Sequence, residues 1–407
     1  MFKVSNGFYS FIAQLYVFLS LLGYQLATTL LLPLSSDAEI LSTTVTYPYR
    51  AVVFVLAFFL IVASPVNRQV QRQNRMTVLY VVFMFVYFIR ILVDIFIRQI
   101  YVLPSWRSTV LQYMFIVVIP AILAMLRSVQ YIDFQKLSKW MFWGGVVLLV
   151  ALILNQNTLI QIEYEVMTRG EGNVAMGSLN LGYSCVVVSL IALSVLSGDN
   201  RGKLFRRLFV WLVFLVSFVI MLRAASRGPL VTFIAIMLFF VFSRIKNKVF
   251  GIFLTLFIIL VFWINLSGII ELLGNISPLM EERMLTTLDE GNSSGRDVLA
   301  QQAMDLFYQN PIVGKQFVLN DGFYSHNSIL DVMIGLGVFG ALIWVIIIIM
   351  DFKKSYQNIL SKSSLMMISF LSMVYIIEGF FSGAMYISAK VAICLIIVFS
   401  VNHNEIT

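Results

Sequence analysis

Charge is what this chain has least of. Only 12% of its 407 residues are Asp, Glu, Lys or Arg, against about 25% in a soluble domain. Beside 60% hydrophobic residues, that shortage excludes a soluble enzyme held by one membrane anchor. Packaged at about 20 residues per crossing, the apolar surplus supplies roughly a dozen helices. A β-barrel is excluded too, because the apolar runs are unbroken instead of alternating with polar residues. Cysteine is almost missing: Cys185 and Cys394 both lie inside apolar runs, so a disulfide framework is not expected. Histidine occurs twice, with no Asp/Glu/His cluster at metal-ligand spacing, no Gly-rich nucleotide loop and no Ser–His–Asp order. The first apolar run, closed by Pro33 and Ser35-Ser36-Asp37, is long enough for a mature span instead of a secretory signal.

What remains is an all-α, polytopic integral membrane protein with about 12 transmembrane helices, a single multi-spanning domain over 1–407. Spans are expected near 9–33, 50–65, 76–96, 109–126, 139–155, 177–197, 208–223, 228–243, 249–272, 328–350, 364–384 and 386–401. The clusters Arg68/Arg72/Arg75, Arg127/Lys136/Lys139, Arg201/Lys203/Arg206/Arg207, Arg244/Lys246/Lys248 and Lys353/Lys354/Lys362 then fall on the face of the N-terminus. By the positive-inside rule that face, with both termini, is cytoplasmic. Most acidic residues fall opposite; Asp133, Asp199, Asp351 and Glu405 are exceptions. The net charge of +8 therefore reflects topology and carries no sign of nucleic-acid binding.

Two outer loops are long, one near 157–176 and one over 273–327, and unstructured connections of that length are often functional. Within the second, Gly295 to Tyr308 places Val298, Leu299, Ala303, Leu306 and Phe307 on one face. This is the pattern of a short amphipathic helix at the outer membrane surface, capped by Ser293-Ser294 and ended by Asn310-Pro311.

The candidate chemistry gathers there. His403 belongs to the tail, whereas His326 stands where the long loop enters the next span. It is either an interfacial side chain among headgroups or a group able to serve as a general base or, protonated, to bind phosphate. Arg223 and Arg227 flank a turn in Arg223-Ala224-Ala225-Ser226-Arg227-Gly228-Pro229. Four apart, they share a face if the segment is helical. With a break at Gly228-Pro229, the free N–H groups of the next helix and the guanidinium forks form an anion site. The alternative is a pair of interface anchors. Arg296 opposes the dipole of the loop helix it opens, a hint of another purpose, and Arg283 lies upstream in the same loop. Two ionisable sets lie inside spans: Arg90 with Asp94, four apart, and Glu378 with Lys390, able to pair across the last two spans. Structural pairing is the preferred reading of both over an ion path. Together the outer arginines and His326 make a cation-lined site, needing neither metal nor cofactor, for an anionic lipid head such as a pyrophosphate. An outer site has no access to ATP or nucleotide sugars, so its substrates arrive already activated.

These residues resemble a family. His326-Asn327-Ser328-Ile329-Leu330 with Gly337 downstream looks like the HNxxLxxxxxxG motif of the O-antigen ligase and Wzy-type O-antigen polymerase superfamily. Ser226-Arg227-Gly228 resembles its SRG turn. Gly295-Arg296, followed by the amphipathic helix and Asn310-Pro311-Ile312-Val313-Gly314, resembles its GR…(N)P…G loop. The likeness covers about residues 220–345. Where the family often has an aromatic soon after the GR pair, this chain reads Asp297-Val298-Leu299-Ala300, with the first aromatic at Phe307.

The resemblance implies a bacterial inner-membrane glycosyltransferase of surface-polysaccharide or lipopolysaccharide biosynthesis. Its donor is a glycan on undecaprenyl pyrophosphate, transferred on the periplasmic face. His326, Arg296 and Arg227 take the family's catalytic roles; Arg223, Arg283, Lys315, Tyr324 and Asn327 are expected to bind pyrophosphate or glycan. In the polymerase branch, taken first, the acceptor is another lipid-linked repeat unit and a chain-length regulator is an implied partner. In the ligase branch the acceptor is lipid A–core. A flippase or other transporter competes from another class, but should show repeats and midplane ionisable residues. A non-catalytic scaffold or receptor gives no reason for paired arginines beside a helix break.

Overall fold

The computed structural model describes residues 2–31, 38–66, 74–155, 178–198, 204–275, 277–290 and 295–401. The loop near 157–176, the Ser293-Ser294 pair and His403 lie outside the described residues. One two-stranded parallel ribbon departs from the all-α expectation: Phe2–Val4 pairs with Ala63–Pro65. Everything else regular among the described residues is helical.

The helices are α1 (Asn6–Leu31), α2 (Ala38–Val62), α3 (Arg75–Ile97), α4 (Pro104–Tyr131), α5 (Phe134–Leu154), α6 (Ser178–Ser197), α7 (Leu204–Arg223) and α8 (Arg227–Arg244). They are followed by α9 (Lys248–Ile264), α10 (Leu266–Gly274), α11 (Pro278–Glu290), α12 (Arg296–Gln309), α13 (Ser328–Leu360), α14 (Met366–Phe381) and α15 (Ala389–Ser400). Among the described residues, 9 helices are long and apolar enough to cross a membrane, as a multi-pass membrane protein requires. Three expected spans fall instead on shorter apolar helices, α9, α14 and α15.

Packing explains two of these short helices. From Met366 to Ile377 every residue of α14 is buried, and α15 is buried from Val391 to Ser400. A helix apolar on all sides belongs inside a bundle, and these two form its middle. By contrast α9 exposes Val249, Phe253 and Phe257 at its periphery. The expected span 249–272 is not one helix: Asn265 separates α9 from α10. The long loop holds two helices, α11 and α12, where one was expected. α13 runs ten residues past the expected end at 350, carrying Lys353 and Lys354 on its last turns.

Local sequence sets several helix starts. Asn74 Oδ1 accepts the Met76 N–H (2.9 Å) at the start of α3, and Asp133 Oδ1 accepts those of Gln135 and Lys136 (both 3.0 Å) for α5. Three helices contain π-turns, at Leu19–Gly23, Val93–Ile97 and Tyr113–Val118, a geometry that recurs at functional sites.

The second π-turn carries Asp94, which is fully buried. Its carboxylate meets Arg90 Nε (2.9 Å) and Arg98 Nη1 (2.8 Å) and accepts the Phe317 N–H (3.0 Å). Both arginines also donate to the Lys315 carbonyl, and Arg90 reaches those of Val313 and Gly314. The pair is thus structural, as preferred, and fastens the segment after α12 to α3. Asp94→Ala would strand two guanidinium groups and a buried N–H. The expected cost is about 3–5 kcal/mol, toward the lower end because Arg98 keeps solvent contact. Thermal unfolding of the detergent-purified protein measures it; an unchanged midpoint would refute the fastening role.

Candidate active site

The site lies where the ends of several helices meet. The segment Phe323–Asn327 leads into α13, whose N-terminus is capped by Asn327. Its Oδ1 accepts the Ile329 and Leu330 N–H groups (2.9 and 3.2 Å), while its Nδ2 donates to Phe380 O (3.1 Å) at the end of α14. Asn327, expected to bind substrate, therefore spends its side chain holding the segment. Asp331, one turn into α13, completes the hold. Its carboxylate accepts Ser325 N–H (3.0 Å), Ser325 O–H (2.7 Å) and Met385 N–H (3.4 Å), and its carbonyl accepts the Tyr87 hydroxyl (3.0 Å).

Held in this way, His326 takes a left-handed backbone conformation, φ 59°, which for a non-glycine residue costs about 1–2 kcal/mol and persists only where the surroundings impose it. The half-buried imidazole packs against Tyr324 (ring centroids 4.1 Å apart) and Phe323 (5.8 Å), and makes no hydrogen bond among the described residues. Trp106, from the first turn of α4, stacks on Tyr324 at 4.8 Å and is itself tied by Nε1 to the Tyr386 hydroxyl (3.3 Å). Sequence reasoning missed Trp106, Phe323 and Asp331. Trp106 is far away in the chain, and a lone Asp at the start of a span gives no signal of what it will hold. The aromatic wall absent after Arg296 in α12 is supplied by these rings; Phe307 packs elsewhere.

Arg296 opens α12 behind Gly295, whose φ of 76° serves the entry turn and which occupies the cap position expected for a serine. Its exposed guanidinium is near enough to His326 and Tyr324 to bias their protonation. Burial lowers the His326 pKa from its ordinary 6.5, and the Arg296 charge lowers it further. The imidazole is therefore neutral at pH 7. Burial also pushes the Tyr324 hydroxyl up to about 12, with the Asp331 charge adding and Arg296 opposing. α12 itself does not lie free at a membrane surface. Leu299, Ala303, Leu306 and Phe307 pack on Leu319, Leu330 and Ile334, while Val298 faces outward.

The turn between α7 and α8 corrects an expectation. The helix breaks at Ala224-Ala225-Ser226, with Ala225 at φ 50°, so Arg223 ends one helix and Arg227 begins the next. They do not share a face, and Gly228-Pro229 lies inside the first turn of α8, where Pro is tolerated because that N–H has no helical partner. Arg283 of α11 donates to Ala225 O (2.7 Å), bracing this turn. A Cβ on Gly228 would stand 3.0 Å from the Tyr183 hydroxyl, so the start of α8 and Tyr183 of α6 are in close contact. Lys315 is not brought to this group: its amine donates to Gln309 at the far end of α12, roughly 20 Å of helix from Arg296. Among the described residues no three His, Cys, Asp or Glu side chains gather to hold a metal ion.

Asp331→Ala would leave the buried N–H groups of Ser325 and Met385 without acceptors, at about 1–3 kcal/mol each. The Phe323–Asn327 segment should then lose its fixed shape. We expect transfer activity to fall about 10- to 100-fold at normal protein level, with activity partly kept in Asp331→Asn, which retains an acceptor oxygen. Equal activity in both variants and the parent would remove Asp331 from its positioning role.

Residues 212–345 match the family model described as O-antigen ligase. No curated protein and no solved structure shows a significant match. The matched stretch, about a third of the chain, contains every site residue expected from the sequence. Trp106, Tyr183 and the end of α14, which wall the site, lie outside it.

Proposed function

We propose that the protein is a membrane glycosyltransferase that polymerises undecaprenyl-pyrophosphate-linked oligosaccharide repeat units on the periplasmic face of the bacterial inner membrane, with both termini cytoplasmic. The observation that carries this reading is a half-buried imidazole, without a hydrogen bond among the described residues, whose pKa is lowered by burial and by the charge of an exposed arginine at the start of a helix. In the proposed reaction a sugar hydroxyl of one lipid-linked unit attacks the anomeric carbon of another. The new C–O bond forms as the bond to pyrophosphate breaks, and its electron pair stays on the pyrophosphate oxygen. His326 accepts the hydroxyl proton, and Arg296 and Arg227 receive the growing charge. Arg223 adds to the positive field, and Arg283 acts by bracing the turn that presents Arg227. Tyr324 offers a protonated hydroxyl and a ring face to the glycan. The donor is already activated, so the residues need only bind, orient and move one proton; no metal step is part of this reading. A chain-length regulator is a further expected partner.

Purified protein incubated with a lipid-linked repeat unit alone should give a ladder of lengths. If product forms only after lipid A–core is added, the same geometry serves ligation. Movement of the labelled lipid across vesicles without any transfer would overturn both in favour of a transporter.

A further inference from the structure

Below the His326 segment the bundle encloses a cavity of about 420 Å³, within the range of small-molecule sites. Its walls come from α1, α2, α4, α6, α13, α14, α15 and the turn between the last two. Ile116 of α4, 41% exposed, lines it. Arg50 of α2 lines it as well, its Nη2 2.7 Å from the Tyr113 hydroxyl and its guanidinium 4.5 Å from the centre of that ring. Two π-turns border the space, contributing Ser20 and Tyr113.

The lining leaves polar groups unused. Among the described residues, Gln25 Oε1, Ser328 Oγ and Trp344 Nε1 are buried on its wall without hydrogen-bond partners; Trp344 is 1% and Ser328 3% exposed. Native proteins leave few such atoms, and each calls for a cause. Glu378 and Lys390 also line it. The structural pair expected between them is not made: no direct ion pair joins them, and the ammonium lies 5.1 Å from the Tyr375 ring centre. Two ionisable groups inside a membrane bundle that stop short of an ion pair are costly unless a third party meets them.

The occupant follows from the chemistry of the walls. An anion suits Arg50 and Lys390 but is opposed by Glu378. A cation suits Glu378 and is opposed by the other two. An acyl chain would leave the amide, hydroxyl and indole N–H unsatisfied. A sugar ring supplies hydroxyls that donate and accept around its rim, and C–H faces for tyrosine rings. We propose that this cavity is a saccharide subsite, taking part of the glycan whose transfer occurs at His326. Ser328, two residues from His326, lies on its wall. A smaller void shares Gln25, Asn180, Glu378 and Lys390 with it and extends to Tyr183, beside Gly228. The identification of the glycan as a transfer substrate rests on the proposed function; the binding of a saccharide does not.

The test uses the full chain in nanodiscs with lipid-linked repeat units extracted from the producing cells. A photoreactive benzoylphenylalanine replaces Tyr113 at the cavity, Phe323 near His326, or Phe253 on the outside of α9 as control. After irradiation, intact mass should show a sugar-containing adduct at positions 113 and 323, at least tenfold above position 253. At position 113 it should drop about tenfold in the charge-balanced double variant Glu378→Gln/Lys390→Met, with the adduct at 323 retained. A phospholipid adduct alone at 113, no adduct there while 323 is labelled, or equal labelling at 253 overturns the subsite. A sugar adduct at 113 in a protein whose polymer output survives His326→Ala leaves the subsite standing and removes the transfer reading.

Discussion

Replacing His326 by alanine should cut polymer formation about 10²- to 10⁴-fold, the range for loss of a general base, at unchanged protein level. Arg296→Gln should cost about 10²- to 10³-fold, the loss of one group that stabilises developing charge. The more telling readout is pH. Activity requires neutral His326, so it rises with pH through the His326 pKa, which burial and the Arg296 charge hold below 6.5. The acid limb should therefore lie below pH 6.5 in the parent. Removing the Arg296 charge takes away one of the two lowering causes, so in Arg296→Gln the limb moves up toward 6.5, short of it because burial persists. Arg296→Lys keeps the charge and should keep the limb, with the rate reduced because an ammonium lacks the planar fork. A limb that stays put in Arg296→Gln would separate the two residues. Full polymer yield in His326→Ala would falsify the base assignment.

A large effect on stability is expected at Gly337. Two glycines interlock where the segment after α12 meets a break in α13. Gly337 interrupts that helix at φ 68° and ψ −163°, and a Cβ there would overlap the Ile312 carbonyl and stand 2.7 Å from Val313 N. Gly314 has φ 74°, and its Cβ would stand 2.5 Å from Gly335 C and 2.6 Å from Ile334 O. Hydrogen bonds close the junction: Lys315 and Gln316 N–H both donate to Ile334 O (2.8 and 3.1 Å), and Val338 N–H donates to Pro311 O (2.8 Å). Alanine at either glycine pays about 1–2 kcal/mol for the left-handed backbone alone. The neighbouring atoms are backbone and cannot swing aside, so overpacking adds about 1–3 kcal/mol more. Gly337→Ala and Gly314→Ala should each lower the steady-state level of folded protein several-fold, measured by size exclusion of the detergent extract. Gly268→Ala is the control: a Cβ there meets nothing within 4 Å, inside a regular helix, so it should be neutral or slightly stabilising. A similar, small effect at all three positions would show that the junction does not need glycine.

The same junction shows how much of the site was legible. Gly314 and Gly337 appear in the sequence as members of two spaced motifs, and His326, Arg296 and Arg227 can be picked out because cations and a lone histidine are conspicuous beside apolar runs. Their order along the chain is readable. Lys315 was conspicuous for the same reason and is nevertheless turned away, because the neighbouring carbonyls are held by Arg90 and Arg98 and its amine finds Gln309. Charge in a sequence has no direction. Asp331 and Asn327 illustrate the converse: as side chains that hold a backbone, they look from the sequence like any polar residue near a helix start.

Hydropathy needs no partner to be read, since a bilayer acts on each segment by itself. The sequence thus determined on its own a multi-pass helical protein and where most of its apolar helices lie along the chain. Where the spans end, and which are buried, depends on neighbours. α14 and α15 are buried on all sides because other helices surround them, and α9 stops at Asn265 although the apolar pattern continues. Only the tertiary structure decided that Trp106 stacks on Tyr324, that the Asp94 carboxylate fastens a segment over two hundred residues away, and that Glu378 and Lys390 border a cavity without pairing. Each of these is a contact between segments distant in the chain, set by packing energies that no local pattern encodes. The 12% of residues that carry charge could be counted from the sequence; what they face could not.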